Sequence, residues 1–403
     1  MIRGQRMADS GRRELPKPPR RVPAGALAPL TSIEAPPRRP PVPTEPPLPP
    51  KFRLRFVVPL VVFVLVLGAG AGWLVRADSL NLDVAEVQKA AGPSVVRIFA
   101  TTCEGTGQAT GVLLENGLVL TAASSIKQPM SVAFMTTSGD VRRANVLGSS
   151  QDGVAVLQML GQLTTPKAQL APKDPPGDAE RAVLGFIANG LQTIQLLGPA
   201  NEPKPLPSVL NATKLGSPVL DKSGRVIGLV TGDTVATAKV VPLDNLRQYS
   251  GTGQPGITPE PGGTCPRSRG PQTPIVPELA VANTPLAGEV QKLLGDYITT
   301  TNKHDFVAIR ELYSKQLAKA LTVARDLKNH QTSFLFGARI TEVTSAGEFV
   351  NARMTFTVLF SPNSNGAAGQ TCNRIDNRYR LVREGGKLVV DQAVGVQTPR
   401  SCD

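Results

Sequence analysis

The sequence predicts a multi-domain chain: a disordered proline-rich tail, one transmembrane helix, an all-β double barrel and a C-terminal α+β domain. Three observations carry this. A charge-free run, Phe56–Val75, follows a tail crowded with proline and arginine. Many short apolar runs joined by Gly, Asp and Asn turns fill 82–250. Two helical periods and then four strand-like runs fill 284–403.

The tail comes first. Residues 1–55 hold 14 prolines, and 12 Lys/Arg against 4 Asp/Glu, a net of +8 out of the chain's +13. The positive charge therefore belongs to the tail and not to a folded basic face, which speaks against a nucleic-acid partner. A stretch such as PPRRPPVPTEPPLPP has little to bury and reads as disordered, with polyproline II character. It serves either as a solvated spacer or as a docking strip for a cytoplasmic partner that recognises proline or phosphate. Thr31, Ser32 and Thr44 are its candidate phosphorylation positions.

Phe56–Val75, FVVPLVVFVLVLGAGAGWLV, is 20 residues without charge. That is about the length a helix needs to cross ~30 Å of hydrocarbon. Pro59 falls in the first turn and Trp73 near the far interface. A cleaved signal peptide is the alternative, but it has a shorter charged region and a shorter apolar core. Lys51, Arg53 and Arg55 flank one side; Arg76 alone flanks the other. The positive-inside rule then places the N-terminus in the cytoplasm and the rest of the chain outside the cell membrane.

All four cysteines, Cys103, Cys265, Cys372 and Cys402, follow this run. No spacing among them suits zinc, and an even number outside the cytoplasm suggests two disulfides. Three connectivities are open. Domain layout favours Cys372 with Cys402, which leaves Cys103 to staple a linker through Cys265. That linker, 251–283, is dominated by Gly and Pro and separates the middle domain from the last one.

The middle domain, 82–250, reads as short strands at 95–100, 109–114, 118–121, 130–136, 140–147, 154–159, 181–187, 192–197, 218–220, 226–231 and 238–241. Asn116-Gly117 turns one hairpin and Ser138-Gly139-Asp140 another. A break near 171–178 divides the strands into two groups, as two stacked barrels require.

From Val87 to Tyr249 the order of motifs resembles trypsin-like serine proteases of the HtrA/DegP type. VQKAAGPSVVRI is similar to that family's opening strand. GQATGVLLENGLVLTAASSI resembles its GSGFVI…GLILTAAHVV, and SQDGVAVLQM its D…DLAVLKV. GSPVLDKSGRVIGLVTG resembles the end of GNSGGPLL…GEVIGI, and AKVVPLDNLRQ its closing AIP motif and short helix. The resemblance implies a Ser-His-Asp site, in which serine attacks, histidine takes its proton and aspartate orients the imidazole.

Carried over position by position, the histidine falls on Ser124, the aspartate on Asp152 and the nucleophile on Leu215. A serine hydroxyl has no useful basicity near neutral pH, and leucine cannot attack. The chain's two histidines, His304 and His330, both lie beyond the linker. A slipped alignment nominates Ser217 as fallback nucleophile, with Lys214 or Lys222 as its base, but Pro218 follows where the family has glycine. Asp152 alone is expected to cap a turn or pair with an arginine. The sequon Asn211-Ala212-Thr213 lies in the same degenerate loop and is read as coincidence. No catalytic residue, metal or cofactor is expected.

In the C-terminal domain, Leu286–Asn302 is a helix with Val290, Leu293, Leu294, Tyr297 and Ile298 on one face. A second helix, Asp305–Leu317, is expected from Val307, Ile309, Leu312 and Leu317, with Asp305 as N-cap. Strands follow at 333–343, 349–360, 374–383 and 387–394. Helices before a curved sheet resemble the cone-shaped nuclear transport factor 2-like fold, in architecture alone. His304 and His330 are read as surface or cap histidines. The expected function is binding, scaffolding or sensing at a bacterial cell envelope through a catalytically inactive trypsin-like domain, with a peptide or envelope protein as ligand. The alternative is an active membrane-anchored protease with a non-standard dyad.

Overall fold

The structure is a computed structural model describing residues 63, 80–251 and 253–403. The tail and, Phe63 excepted, the run 56–75 lie outside the described residues. Among the described residues no helix is long and apolar enough to cross a membrane.

Asp83 starts helix α1 (Val84–Ala91). Its carboxylate accepts from the backbone N–H of Ala85 at 2.8 Å and Glu86 at 3.2 Å, satisfying two donors that have no partner inside the helix. Six strands then close a barrel: β1 (Val95–Thr102), β2 (Gln108–Leu113), β3 (Leu118–Ala122), β4 (Pro129–Met135), β5 (Val141–Ser150) and β6 (Val154–Met159). They run in the order β5-β4-β1-β2-β3-β6, and β5 pairs with β6 to complete the ring. Asn116 and Gly117 both take positive φ, as a tight hairpin turn between β2 and β3 requires.

Alternation explains why these strands are apolar almost throughout. Val96, Ile98 and Ala100 of β1 fill the barrel with Leu113, Val119, Phe134 and Leu157. The intervening side chains face outward, yet many are buried too: Val95, Val112, Leu120 and Val156 pack against a second sheet.

That sheet holds β7 (Ala182–Phe186), β8 (Gln192–Leu196), β9 (Pro218–Leu220), β10 (Val226–Thr231) and β11 (Lys239–Pro242), in the order β11-β10-β9-β7-β8. The expected second barrel does not form: this sheet is open. After β8 the chain reads GPANEPKPLPSVL, where Pro199, Pro203, Pro205 and Pro207 cannot donate to a ladder. A four-residue helix, α2 (Leu206–Val209), stands there instead of a further strand. Helix α3 (Leu243–Ser250) follows β11 and buries Leu243, Leu246 and Tyr249.

The Gly/Pro segment after α3 is bound along its length to the barrel and then to the last domain. Ile257–Thr258 (β12) pairs with the edge of β5. Gly263 donates to the Pro129 carbonyl at 2.9 Å, and Thr102 and Arg269 exchange backbone bonds of 2.8 and 2.6 Å. Cys265 is bonded to Cys103, and Glu278–Leu279 (β13) runs parallel to a strand of the last domain.

There, α4 (Pro285–Asn302) is capped by Thr284, whose hydroxyl accepts from Ala287 N at 3.2 Å. The expected second helix is broken. Residues Ala308–Leu312 make only a short 3-10 segment, and Tyr313 is extended and bridges to Val390. Ser314 then caps a fresh helix, α5 (Lys315–Ala320), and Thr322 caps α6 (Val323–His330). Asp305 does accept from Ala308 N at 3.0 Å, but Val307, expected inside, is 70% exposed. Two serine/threonine caps in nine residues outcompete one continuous period.

Strands β14 (Phe334–Ala346), β15 (Phe349–Leu359), β16 (Cys372–Glu384) and β17 (Lys387–Gly395) form an antiparallel sheet; β18 (Arg400–Ser401) pairs with β16. Its inner face, with Ile340, Met354, Tyr379 and Leu381, covers Val290, Leu294 and Ile298 of α4. The second disulfide is Cys372–Cys402. It lies in a small core with Phe99, Val141, Phe336 and Leu359, where the barrel meets this sheet. Phe99 stacks on Phe336 with centroids 4.1 Å apart. Arg143 pairs with Asp403 alongside.

Candidate functional site

The folding brings Ser124, Asp152 and Leu215 to one seam between the barrel and the second sheet. Ser124 lies in the one-turn helix Ala123–Ser125 after β3, and its hydroxyl donates to the Gly232 carbonyl at 2.7 Å. Asp152 lies in the β5–β6 turn. Ala123 N donates to the Gly153 carbonyl at 2.8 Å, so these two loops are joined through the backbone.

The Asp152 carboxylate is directed to α3, where Oδ2 accepts from Asn245 Nδ2 at 2.6 Å and from the Tyr249 hydroxyl at 2.7 Å. The Tyr249 hydroxyl and the Asn245 amide hold its pKa below the usual carboxylate range. Of the two expected roles, a turn cap or an arginine pair, neither is found among the described residues, and the carboxylate ties helix to turn.

Leu215 packs its side chain among Ala122, Val183, Val219 and Val230. The backbone around it is closed on itself. Lys214 N donates to Asn211 O (3.0 Å), Leu215 N to Ala212 O (3.4 Å), Gly216 N to Val230 O (2.7 Å) and Ser217 N to Lys214 O (3.0 Å). An oxyanion hole needs backbone donors aimed at open space. The four N–H groups from 214 to 217 point at protein carbonyls.

Hydroxyls seal the same seam. Thr110 Oγ1 donates to Thr213 O (2.8 Å) and accepts from Phe186 N (3.1 Å). Thr213 Oγ1 donates to Phe186 O (2.6 Å), Thr121 Oγ1 donates to Thr110 O (2.6 Å), and Thr110 N donates to Leu215 O (2.9 Å). Gly216 sits at φ +84°, and a Cβ there would fall 2.1 Å from the Thr110 carbonyl oxygen. Only glycine allows the loop to lie this close to β2.

The fallback nucleophile is inaccessible. Ser217 is fully buried and its Oγ has no hydrogen-bond partner among the described residues. It therefore makes no bond with Lys214, whose buried Nζ donates to Gln195 Oε1 (3.1 Å) and lies 3.5 Å from Val209 O. Burial lowers the Lys214 pKa, but its amine is aimed elsewhere. Lys222 sits in the exposed 221–225 turn.

Both disulfides match the favoured pairing, Cys103–Cys265 and Cys372–Cys402, with Cα separations of 5.7 and 5.6 Å. Both histidines are half-buried, His304 just before the Asp305 cap and His330 at the end of α6. His304, at φ +53°, and His330 flank the ring of Phe306, with centroid distances of 6.0 and 6.1 Å, and His304 Nε2 meets Ser333 O at 3.1 Å. Burial holds both imidazoles below their ordinary pKa. Among the described residues no cluster of three or more His, Cys, Asp or Glu is placed to hold a metal. Reasoning on the sequence did not find the threonine network. Its only signal was a hydroxyl at strand positions such as Thr110 and Thr121, which ordinary β-propensity also explains.

Comparison with known proteins gives one family: residues 109–229, from β2 into β10, match the trypsin-like peptidase domain. Among solved structures the chain is similar to a serine endoprotease from Yersinia pestis, at 17% identity over 38% of this chain, with a TM-score of 0.33. The matched region spans 58% of that protease. No curated protein matches the chain.

Proposed function

We propose that this chain is a single-pass membrane protein whose trypsin-like domain, held outside the cytoplasm, binds rather than cleaves. The reading rests above all on the loop 213–217. Its four N–H groups from 214 to 217 are bonded internally, Leu215 occupies the nucleophile position, and the nearby serine is sealed from solvent. Ser124 at the general-base position supplies a hydroxyl with no useful basicity near neutral pH. Two disulfides suit an oxidising compartment, and the charge-free run 56–75, with more Lys/Arg before it than after, suits an anchor. The open sheet leaves β8 and β11 as edges, where an extended segment can add as a strand.

The test is activity-based labelling of the full chain. A fluorophosphonate probe is expected to leave residues 80–250 unlabelled, and Ser124→His with Leu215→Ser is expected to gain no casein hydrolysis. Labelling that disappears in Ser217→Ala establishes the active-protease alternative instead.

A further inference from the structure

Outward-facing residues of β1 meet different neighbours in turn. Val95 packs on the second sheet and Phe99 on Phe336 of the C-terminal domain. Between them, Arg97 points into a cleft of about 720 Å³ where barrel, second sheet and C-terminal domain adjoin. Its Nε is shut off from solvent and has no hydrogen-bond partner, and neither Nη bonds to any described residue. The guanidinium lies 4.8 Å from the Phe99 ring centroid, and the 188–191 loop passes over it: a Cβ on Gly190 would fall 2.4 Å from Nη1.

The other charges at this cleft are already engaged. Arg339 faces Glu278 at 3.6 Å, and Arg374 donates to Val141 O at 2.9 Å. Arg400 donates to Gln397 at 2.8 Å, and Asp376 pairs with Arg353 at 2.6 Å and accepts from Gln397 at 3.0 Å. Arg374 and Arg400 thus rest on neutral oxygens, and Arg97 differs from them in making no hydrogen bond at all. Burial with no carboxylate nearby pushes its pKa down to about 10, so it stays charged at neutral pH. Nε is cut off from water with no partner to replace it, and the planar fork suits a carboxylate held by two parallel bonds. Phe99, Met135, Phe336, Ile275 and Leu191 supply apolar walls, and Leu191 is 61% exposed.

We propose that this cleft is a binding site for a ligand with one carboxylate on an apolar body, with Arg97 as the anchor. The proposal does not depend on the fate of the protease site. The carboxylate comes either from the end of a peptide or from a small organic acid.

Titration calorimetry on the full chain tests it with two acids, acetyl-Ala-Leu-Phe with a free C-terminus and 3-phenylpropanoate, each against its primary amide, with inorganic phosphate as competitor. At least one acid is expected to bind ten-fold or more tighter than its amide. Arg97→Met is expected to abolish that preference, and Arg97→Lys to retain part of it. Tighter binding of the peptide acid identifies a peptide ligand, and tighter binding of phenylpropanoate a small acid. Leu191→Glu changes only an exposed wall and is expected to weaken acid binding several-fold by repulsion. Equal binding of acids and amides, no saturable binding, displacement by phosphate at lower concentration, or an acid preference that survives Arg97→Met overturns the proposal.

Discussion

The seam at 213–217 and the cleft at Arg97 are neighbours on the outer face of the barrel, since Arg97 of β1 pairs with Thr110 of β2, yet they treat polar groups in opposite ways. At the seam nearly every polar atom is partnered inside the protein, from the loop N–H groups to Thr110, Thr121 and Thr213. At the cleft a charged side chain has no partner among the described residues. A buried polar group that is fully satisfied rigidifies the fold and has little left to offer a ligand. One that is left unsatisfied lowers stability until something binds. The locus that resembles a catalytic site is thus the better satisfied of the two, and the unmet bonding capacity lies at a position with no motif.

The largest effect is expected where the seam is tightest. Gly216→Ala puts a methyl group against the Thr110 carbonyl at a backbone angle that alanine disfavours. It should lower stability by roughly 3 kcal/mol, the upper part of the range for single substitutions. Urea denaturation measures this. A change below ~1 kcal/mol means the loop has room to relax, and the contrast with the cleft then fails.

Much of this fold was legible in the sequence. Val154–Met159, Pro218–Leu220 and Val226–Thr231 have the expected boundaries, because apolar runs bounded by Gly and Asp turns encode strands locally. The favoured disulfides followed from domain layout. What was not legible depends on distant partners. The 251–283 segment carries no periodicity, and its order comes from Thr102, Pro129 and Cys103, roughly 130 to 170 residues away in sequence. Helix α6 was missed because ARDLKNH is almost wholly polar and only Val323 and Leu327 pack on the core. At the site, Ser124, Asp152 and Leu215 were located by motif order, but the turning of Asp152 toward Asn245 and Tyr249 depends on where α3 docks. Arg97 gave no signal: in VVRIF it is a single charged residue within an apolar run.

A smaller effect separates charges that can be shed from charges that cannot. His304 and His330 sit against Phe306 and Phe334 without a carboxylate, and Arg267 and their own proximity add to burial in lowering their pKa values. In the unfolded chain they titrate near 6.5. Below that value the unfolded state binds more protons, so stability is full above pH ~6.5 and is lost as pH falls through the folded pKa values. Thermal melts from pH 7.5 to 5 should show this loss, and His330→Gln should flatten part of it. A melt indifferent to pH over that range, or unchanged by the substitution, places the pair in solvent.

Arginine has no such escape, because it remains protonated throughout this range. The smallest stability change is therefore expected at Arg97, although it is partly buried at the centre of a three-way junction. Arg97→Met removes a contact with the Phe99 face but also removes an unpaired cation from an apolar setting. The two terms oppose each other, and the net should lie within about 0.5 kcal/mol of zero or be slightly stabilising, as for a well-packed replacement of an uncompensated charge. The same denaturation that registers Gly216→Ala measures it. A loss of ~2 kcal/mol or more means that Arg97 already contributes as a structural group. Near-neutral stability, combined with loss of carboxylate preference, leaves recognition as the reason a cation is kept at that point of β1.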